Sequence, residues 1–384
     1  MKKWKIKAIA MTGILGAALM MSSWTSEKNT QSKETGRKIQ IAILFDTSNS
    51  MDGLIDQAKS RIWNIVNTMS NLSHNQQIPE IEIALYEYGN DFLEEKKGFV
   101  RQVLPLSTDM DLISEQLFGL ATNGGSEYCG TVIDRAIKDL KWTNQSGDIR
   151  IIYIAGNEPF DQGNVDYKAS CRNAAKKDIK VHTIYCGDRE RGIKELWYEG
   201  AVQGKGEYSN INSDLEVVQY KTPYDEEIKA YNDSLNGTYL MYGKKGIDYR
   251  MNQLKQDSNA LSISENVQVE RTVAKAKESY LNDKWDLVDA QKVNENFDID
   301  EVKEEELPEE LKNKTTEEKK QIIAVKEADR KRFQQKIGEL SSQRQAFITD
   351  LKKKEEPKES DLGEEINLGI KKLAVEKGYE LKQP

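Results

Sequence analysis

The sequence predicts an α/β protein: a doubly wound, mostly parallel sheet over residues 39–212, followed by an all-α, partly coiled-coil C-terminal extension. Three observations carry that expectation. Through the first half, short apolar runs alternate with amphipathic helical stretches, the pattern of β–α units whose sheet is covered on both faces. One run, Ile41-Ala42-Ile43-Leu44-Phe45, is apolar at consecutive positions, as a strand buried on both faces requires. Beyond Asn212 the texture changes. From Met251 the chain is rich in Lys, Glu, Gln, Ala and Leu, with prolines only at 308, 357 and 384.

Taken in order, residues 1–23 carry Lys2, Lys3, Lys5 and Lys7 ahead of an apolar run from Ala8 to Met21. A basic flank before an apolar stretch too short for an ordinary membrane span predicts an export signal, cleaved or retained as an anchor. Residues 24–38 are polar without apolar period and read as a disordered tether. The formal net charge is −8, and without those four lysines the rest of the chain stands at −8 − 4 = −12. A chain that acidic is not expected to bind nucleic acid.

After the first strand, a helix is expected from Leu54 to Val66. Ile81–Tyr88 alternates and reads as a strand, with Phe99–Leu104 as an antiparallel neighbour. Helices at 109–120, 131–140 and 166–177 alternate with strands at 151–154 and 179–185. A last helix from Glu195 and an edge strand at 206–211 complete the domain. Residues 213–246 predict a linker and a packing helix over 225–236, with Ile228, Tyr231 and Leu235 on one stripe. A chain ending near Gly246 is therefore expected to be soluble and cooperative. Within 247–384, helices are expected at 266–285 and 286–293, and the acidic run 298–306 reads as a solvated loop. Residues 315–354 form one long helix, spaced for an antiparallel hairpin or coiled coil or for an ordinary bundle. A last helix at 362–381 would pack against it, and these helices also offer a route to oligomers.

Chemistry concentrates where the first strand ends. Asp46, Ser48 and Ser50 alternate on one side of a turn, so a carboxylate and two hydroxyls can converge. Hard oxygen donors at that spacing suit Mg²⁺, Mn²⁺ or Ca²⁺ and do not suit zinc or copper. The plain alternative is that Asp and Ser only cap the next helix.

The stretch Leu44 to Met51 resembles the metal-ion-dependent adhesion site of von Willebrand factor A-type (VWA) domains, and the resemblance extends over roughly Ile39 to Asn212. It implies a doubly wound fold with a divalent cation at the top of the sheet and two further loops around it. One loop looks like Thr122 to Gly130, with Glu127 near the family's usual Thr. The other looks like Ile151 to Phe160, where Asn157 stands in place of a common Asp. More narrowly, ALYEYGND, NGGSEYCG and IAGNEPF look like a bacterial, exported branch of the family. The implied activity is binding: a cation held by Asp46, Ser48, Ser50, Asn157 and Glu127 accepts an acidic side chain from a protein partner, in the periplasm or cell envelope. Membrane contact is expected only through an uncleaved signal. A second expectation is an envelope scaffold that binds through its helices, its metal site degenerate; a third, a metal-assisted hydrolase, lacks an evident general base.

The only histidines are His74 and His182, neither beside a nucleophile in a catalytic turn, and no phosphate loop, dinucleotide fingerprint or G-x-S-x-G occurs. No enzyme is expected. Cys129, Cys171 and Cys186 allow one disulfide and one buried thiol in an oxidising compartment, or three plain core residues.

Overall fold

Strand β1, Lys38–Asp46, is buried along its apolar length. Ile39, Ile41, Ile43 and Phe45 enter one core, and Ala42 and Leu44 enter the other. That alternation with no polar face is what a central strand between two helical layers needs. The computed structural model describes residues 1, 36–294, 296–356 and 358–382. The expected export signal, residue 1 apart, and the tether up to residue 35 lie outside them.

Strands β2 (Leu72–Ser73), β3 (Glu80–Tyr88), β4 (Val100–Ser107), β5 (Ile149–Gly156), β6 (Lys180–Cys186) and β7 (Lys205–Ile211) follow in the chain. Six of the strands form one sheet in the order β4-β3-β1-β5-β6-β7. Only β4 runs antiparallel. Asp46 pairs in register with Tyr88, so β1 and β3 end together, beside the end of β5. Strand order reverses on either side of β1. In such sheets a crevice opens at the carboxyl ends of the strands at that point.

One face is covered by α3 (Cys129–Asp139), α4 (Tyr167–Lys176) and α6 (Trp197–Gln203), around Val132, Ile133, Ile154, Phe160 and Trp197. The short α5 (Arg189–Lys194) precedes α6 and was not expected. The other face is covered by α1 (Asp52–Ser70), α2 (Met110–Phe118) and the last helix of the chain, α12 (Leu362–Glu376). This corrects the expectation that 362–381 would pack on the long helix before it. Helix α12 lies against α1 and across β5, β6 and β7. The Tyr153 hydroxyl donates to the Ile366 carbonyl at 2.9 Å. A Cβ at position 369 would stand 2.6 Å from that same hydroxyl, so glycine lets the helix come this close. Beyond α12, β8 (Glu380–Leu381) pairs antiparallel with β2. Packing therefore runs across the compositional boundaries at 212 and 246.

Between β7 and α12 come α7 (Asp225–Asn236), α8 (Gly246–Ile263), α9 (Glu265–Lys275), α10 (Leu287–Val293) and α11 (Thr316–Lys352). Helix α9 stops ten residues short of the expected Trp285, and the irregular segment after it places Tyr280 to donate to Asp111 at 2.6 Å. The acidic run does not form a solvated loop throughout. It folds into short 3₁₀ turns with Ile299 and Leu307 buried. Helix α11 is the expected long helix, and it packs on several short elements, chiefly α7, α9 and α10, in the manner of a bundle. Three of its buried positions are charged, and Lys319 bonds Glu304 at 3.3 Å. Arg330 bonds Asp286 at 2.6 Å and Asp289 at 2.9 Å, and Arg344 bonds Asp225 at 2.9 Å and Glu270 at 2.8 Å. A further network joins Arg271 to Asp111 at 2.8 Å and Asp257 at 2.6 Å, with Lys275 on Asp257 at 2.9 Å. Removing one partner from such a pair would strand the other charge in the interior.

The cysteines are corrected as well: all three are free and buried. Cys129 and Cys171 belong to the core under α3 and α4, whereas Cys186 belongs to the core on the opposite face of the sheet. The sheet itself keeps Cys186 from the other two. Burial raises all three thiols, that of Cys171 to about 12. Native protein is thus expected to resist alkylation at pH 8, and denatured, unreduced protein to take up three equivalents by mass spectrometry. Uptake of one equivalent after denaturation would restore the disulfide.

Candidate metal centre

The site grows out of the end of β1. Asp46 is the last strand residue and is fully buried, because Tyr88 and Gly156 close over it from the neighbouring strands. The chain then turns, and the Ser48 backbone N–H donates to Asp46 Oδ1 at 2.8 Å. A 3₁₀ turn at Asn49–Met51 leads into α1. No side chain caps either helix start, so Asp46 and Ser48 are not acting as helix caps. The Ser48 and Ser50 hydroxyls lie 3.4 Å apart, and the Asn157 amide nitrogen donates to Ser50 Oγ at 3.2 Å. Asp46 Oδ2 and Asn157 Oδ1 are both buried without a hydrogen-bond partner. Orphaned acceptors in a protein interior call for an explanation, and an ion is one of the few available.

The Gly-Gly loop reaches the same spot. Gly89 has φ +78°, and a Cβ there would meet Glu127 Cγ at 2.8 Å and Asp46 Oδ1 at 2.9 Å. Glycine at 89 thus leaves space for both carboxyls. Gly125 lies where a Cβ would stand 2.5 Å from the Gly89 carbonyl, and Asp91 N–H donates to the Gly124 carbonyl at 2.5 Å. The sequence-predicted residues Asp46, Ser48, Ser50, Asn157 and Glu127 are therefore neighbours in space. Thr122, the one threonine of the loop, donates to Asp52.

Sequence reasoning missed three contributors. Glu158 follows Asn157 and places a third negative charge in reach of Asp46 and Glu127. Its signal was adjacency, since loop residues beside a ligand often share its site. Tyr88 donates to the Ala155 carbonyl at 3.0 Å and forms the floor. Asn90 ties the rim together, donating to the Ala121 carbonyl at 3.0 Å and accepting from Phe92 N–H at 3.0 Å.

Burial pushes Asp46 up to about 7, with Glu158 adding to the rise and Ser48 opposing it. Burial and then Asp46 and Glu158 push Glu127 to about 7. Two carboxyls so placed are short of positive charge at neutral pH. The donors are oxygens only, as a hard cation needs. Among the described residues no three His, Cys, Asp or Glu side chains form a metal-holding group, so a cation here would lean on the serine hydroxyls and the Asn157 amide.

A consequence follows for the metal-free protein. A carboxyl near 7 when folded and near 3.8 when unfolded binds more protons folded, so stability falls as pH rises from about 4 to about 7. Buried His182, lowered to about 4, drives the opposite trend up to about 6.5. The Asp46 contribution is therefore read against Asp46→Asn. In chelator, wild type is expected to lose more stability between pH 5 and pH 8 than the variant. Parallel denaturant midpoints would mean that Asp46 is not strained.

A sheet in this order, with one antiparallel edge, helices on both faces and a polar crevice at the end of β1, defines a doubly wound α/β domain. No family model and no curated protein matches the chain. Solved structures similar to it include BatB from Bacteroides thetaiotaomicron, at 19% identity and TM-score 0.34 over 45% of this chain and 90% of that one. Another is an aerotolerance-related membrane protein from Bacteroides fragilis, at 18% identity and TM-score 0.31 over 46% and 93%. A third is the VWA domain of SpRpn10, at 15% identity and TM-score 0.35 over 47% and 90%.

Proposed function

We propose that this chain is an exported VWA-domain protein that binds a protein partner through a divalent cation, Mg²⁺ in the first instance. Asp46, Ser48 and Ser50 would hold the ion, with Asn157 and Glu127 closing the shell. The cation supplies an electrophilic position for a partner's carboxylate. The observation that carries this reading is the fully buried Asp46 whose second oxygen has no partner, facing a cluster of oxygen donors.

The rim suits conditional binding. Asp52, Asp91 and Glu158 surround the site with negative charge, so an acidic partner is repelled until a cation is present. Phe92, 86% exposed beside the Gly-Gly loop, offers an apolar hold once contact is made. Binding rather than turnover is supported by the histidines. His182 is enclosed under α12 against Tyr153, and His74 packs on Tyr379. Export rests on the basic, then apolar, N-terminal pattern. Among the described residues no helix is long and apolar enough to cross a membrane.

Titration calorimetry with Mg²⁺, Mn²⁺ and Ca²⁺, followed by capture of envelope proteins with and without chelator, tests the proposal. Saturable one-to-one binding and chelator-sensitive capture are expected. No heat with any of the three ions would overturn the metal-centred reading.

A further inference from the structure

Helix α8 carries an apolar stripe that the described residues leave largely uncovered. Ile247 is 65% exposed, Met251 60%, Leu254 37% and Leu261 50%. With exposed Ser258 these residues fall at spacings of four, three, four and three, which is the seam of a two-helix coiled coil. The opposite side of the same helix is already used, with Gln253, Gln256, Asp257 and Ala260 buried against the body of the protein. Globular proteins rarely leave such a seam bare over four helical turns.

We propose that this face pairs with the same face of a second copy of the chain, the two α8 helices running antiparallel about a two-fold axis. The choice of occupant and direction comes from the charges that border the seam. Asp248 and Lys255 lie on its same exposed edge, seven residues apart and opposite in sign. Lys255 also reaches Glu115 of its own chain at 3.7 Å, a loose and exposed pair that leaves it free to turn to a second copy. When Met251 of one copy meets Leu254 of the other, Ile247 falls against Ser258. Asp248 then lies within a turn of Lys255 of the second copy, and the symmetry makes the pair twice. Sliding the helices so that Leu261 meets Met251 brings Lys255 against Lys255 instead, which disfavours that register. The small Ser258 lets the backbones approach where Ile247 crosses. An isologous contact of this kind closes at two copies and cannot propagate. One helix pair buries on the order of 1,000 Å², the lower bound of a specific interface, so a dimer of micromolar affinity is expected. The arrangement is independent of the metal centre.

The test is sedimentation of the full chain over about 1–100 µM, a range chosen to bracket micromolar affinity. Wild type is expected to move from monomer to dimer across it. Met251→Glu, on an exposed position where the fold is not at stake, is expected to weaken the dimer by at least ~30-fold. Asp248→Lys should weaken it too, and Asp248→Lys combined with Lys255→Asp should restore it. A wild-type chain that stays monomeric throughout would overturn the proposal and leave the seam to a helix of another protein. A dimer untouched by Met251→Glu, or one the charge swap fails to rescue, would overturn it equally.

Discussion

A chain shortened to Glu356, lacking α12 and β8, is expected to lose cooperative unfolding and to aggregate. Leu362, Ile366, Ile370 and Leu373 are all buried against the sheet and α1. At about 1.5–3 kcal/mol each, their removal from the interior costs on the order of 6–12 kcal/mol. That is comparable to the whole stability of an ordinary domain. The loss also bares one face of β5, β6 and β7, including Ile184 and Tyr153, and leaves Gln57 and Arg61 of α1 without Leu362 and Asp361. The expectation from composition, that a chain ending near Gly246 would be soluble, is reversed by the same contacts. Circular dichroism and a denaturant titration of the shortened chain decide it. A sharp transition at the wild-type midpoint would show that α12 is a passenger on the sheet.

Asp46→Asn is expected to reduce divalent affinity by about 100-fold or more, beyond the 10–100-fold typical of groups that only support a ligand. It should also leave the metal-free protein as stable as wild type, or more stable, at pH 8. The two effects share one cause. Oδ2 of Asp46 has no partner and the carboxyl is raised to about 7, so its charge costs stability when no cation offsets it. Asparagine keeps the shape and can still accept from the Ser48 N–H, but brings no charge to desolvate. Function and stability thus pull in opposite directions at this position. Calorimetry and denaturation on the same two samples measure both. A variant that binds Mn²⁺ as tightly as wild type would place the ion elsewhere.

Much of this protein was legible in its residues. The run Ile41–Phe45, the alternation of Ile81–Tyr88 and the stripe of 225–236 each declare a local periodicity, and a strand or helix answers to it. The loop after Phe45 was legible for the same reason, since Asp46, Ser48 and Ser50 share one short turn whose geometry is set by neighbours in the chain. What the residues could not declare were meetings between distant segments. Helix α12 has the same composition whether it packs on α11 or on the sheet. Only the fit of Gly369 against Tyr153, and of Asp361 with Arg61, chooses between them. Glu158 looked like a loop residue until the fold set it near Glu127 across a crevice. The three cysteines were equal candidates for a disulfide until the sheet came between Cys186 and the other two. Periodicity is a property of a dozen consecutive residues, whereas closing a face or assembling a charge cluster depends on which segments lie side by side. In this chain that was decided by about 150 residues folding between β7 and the helix that completes its sheet.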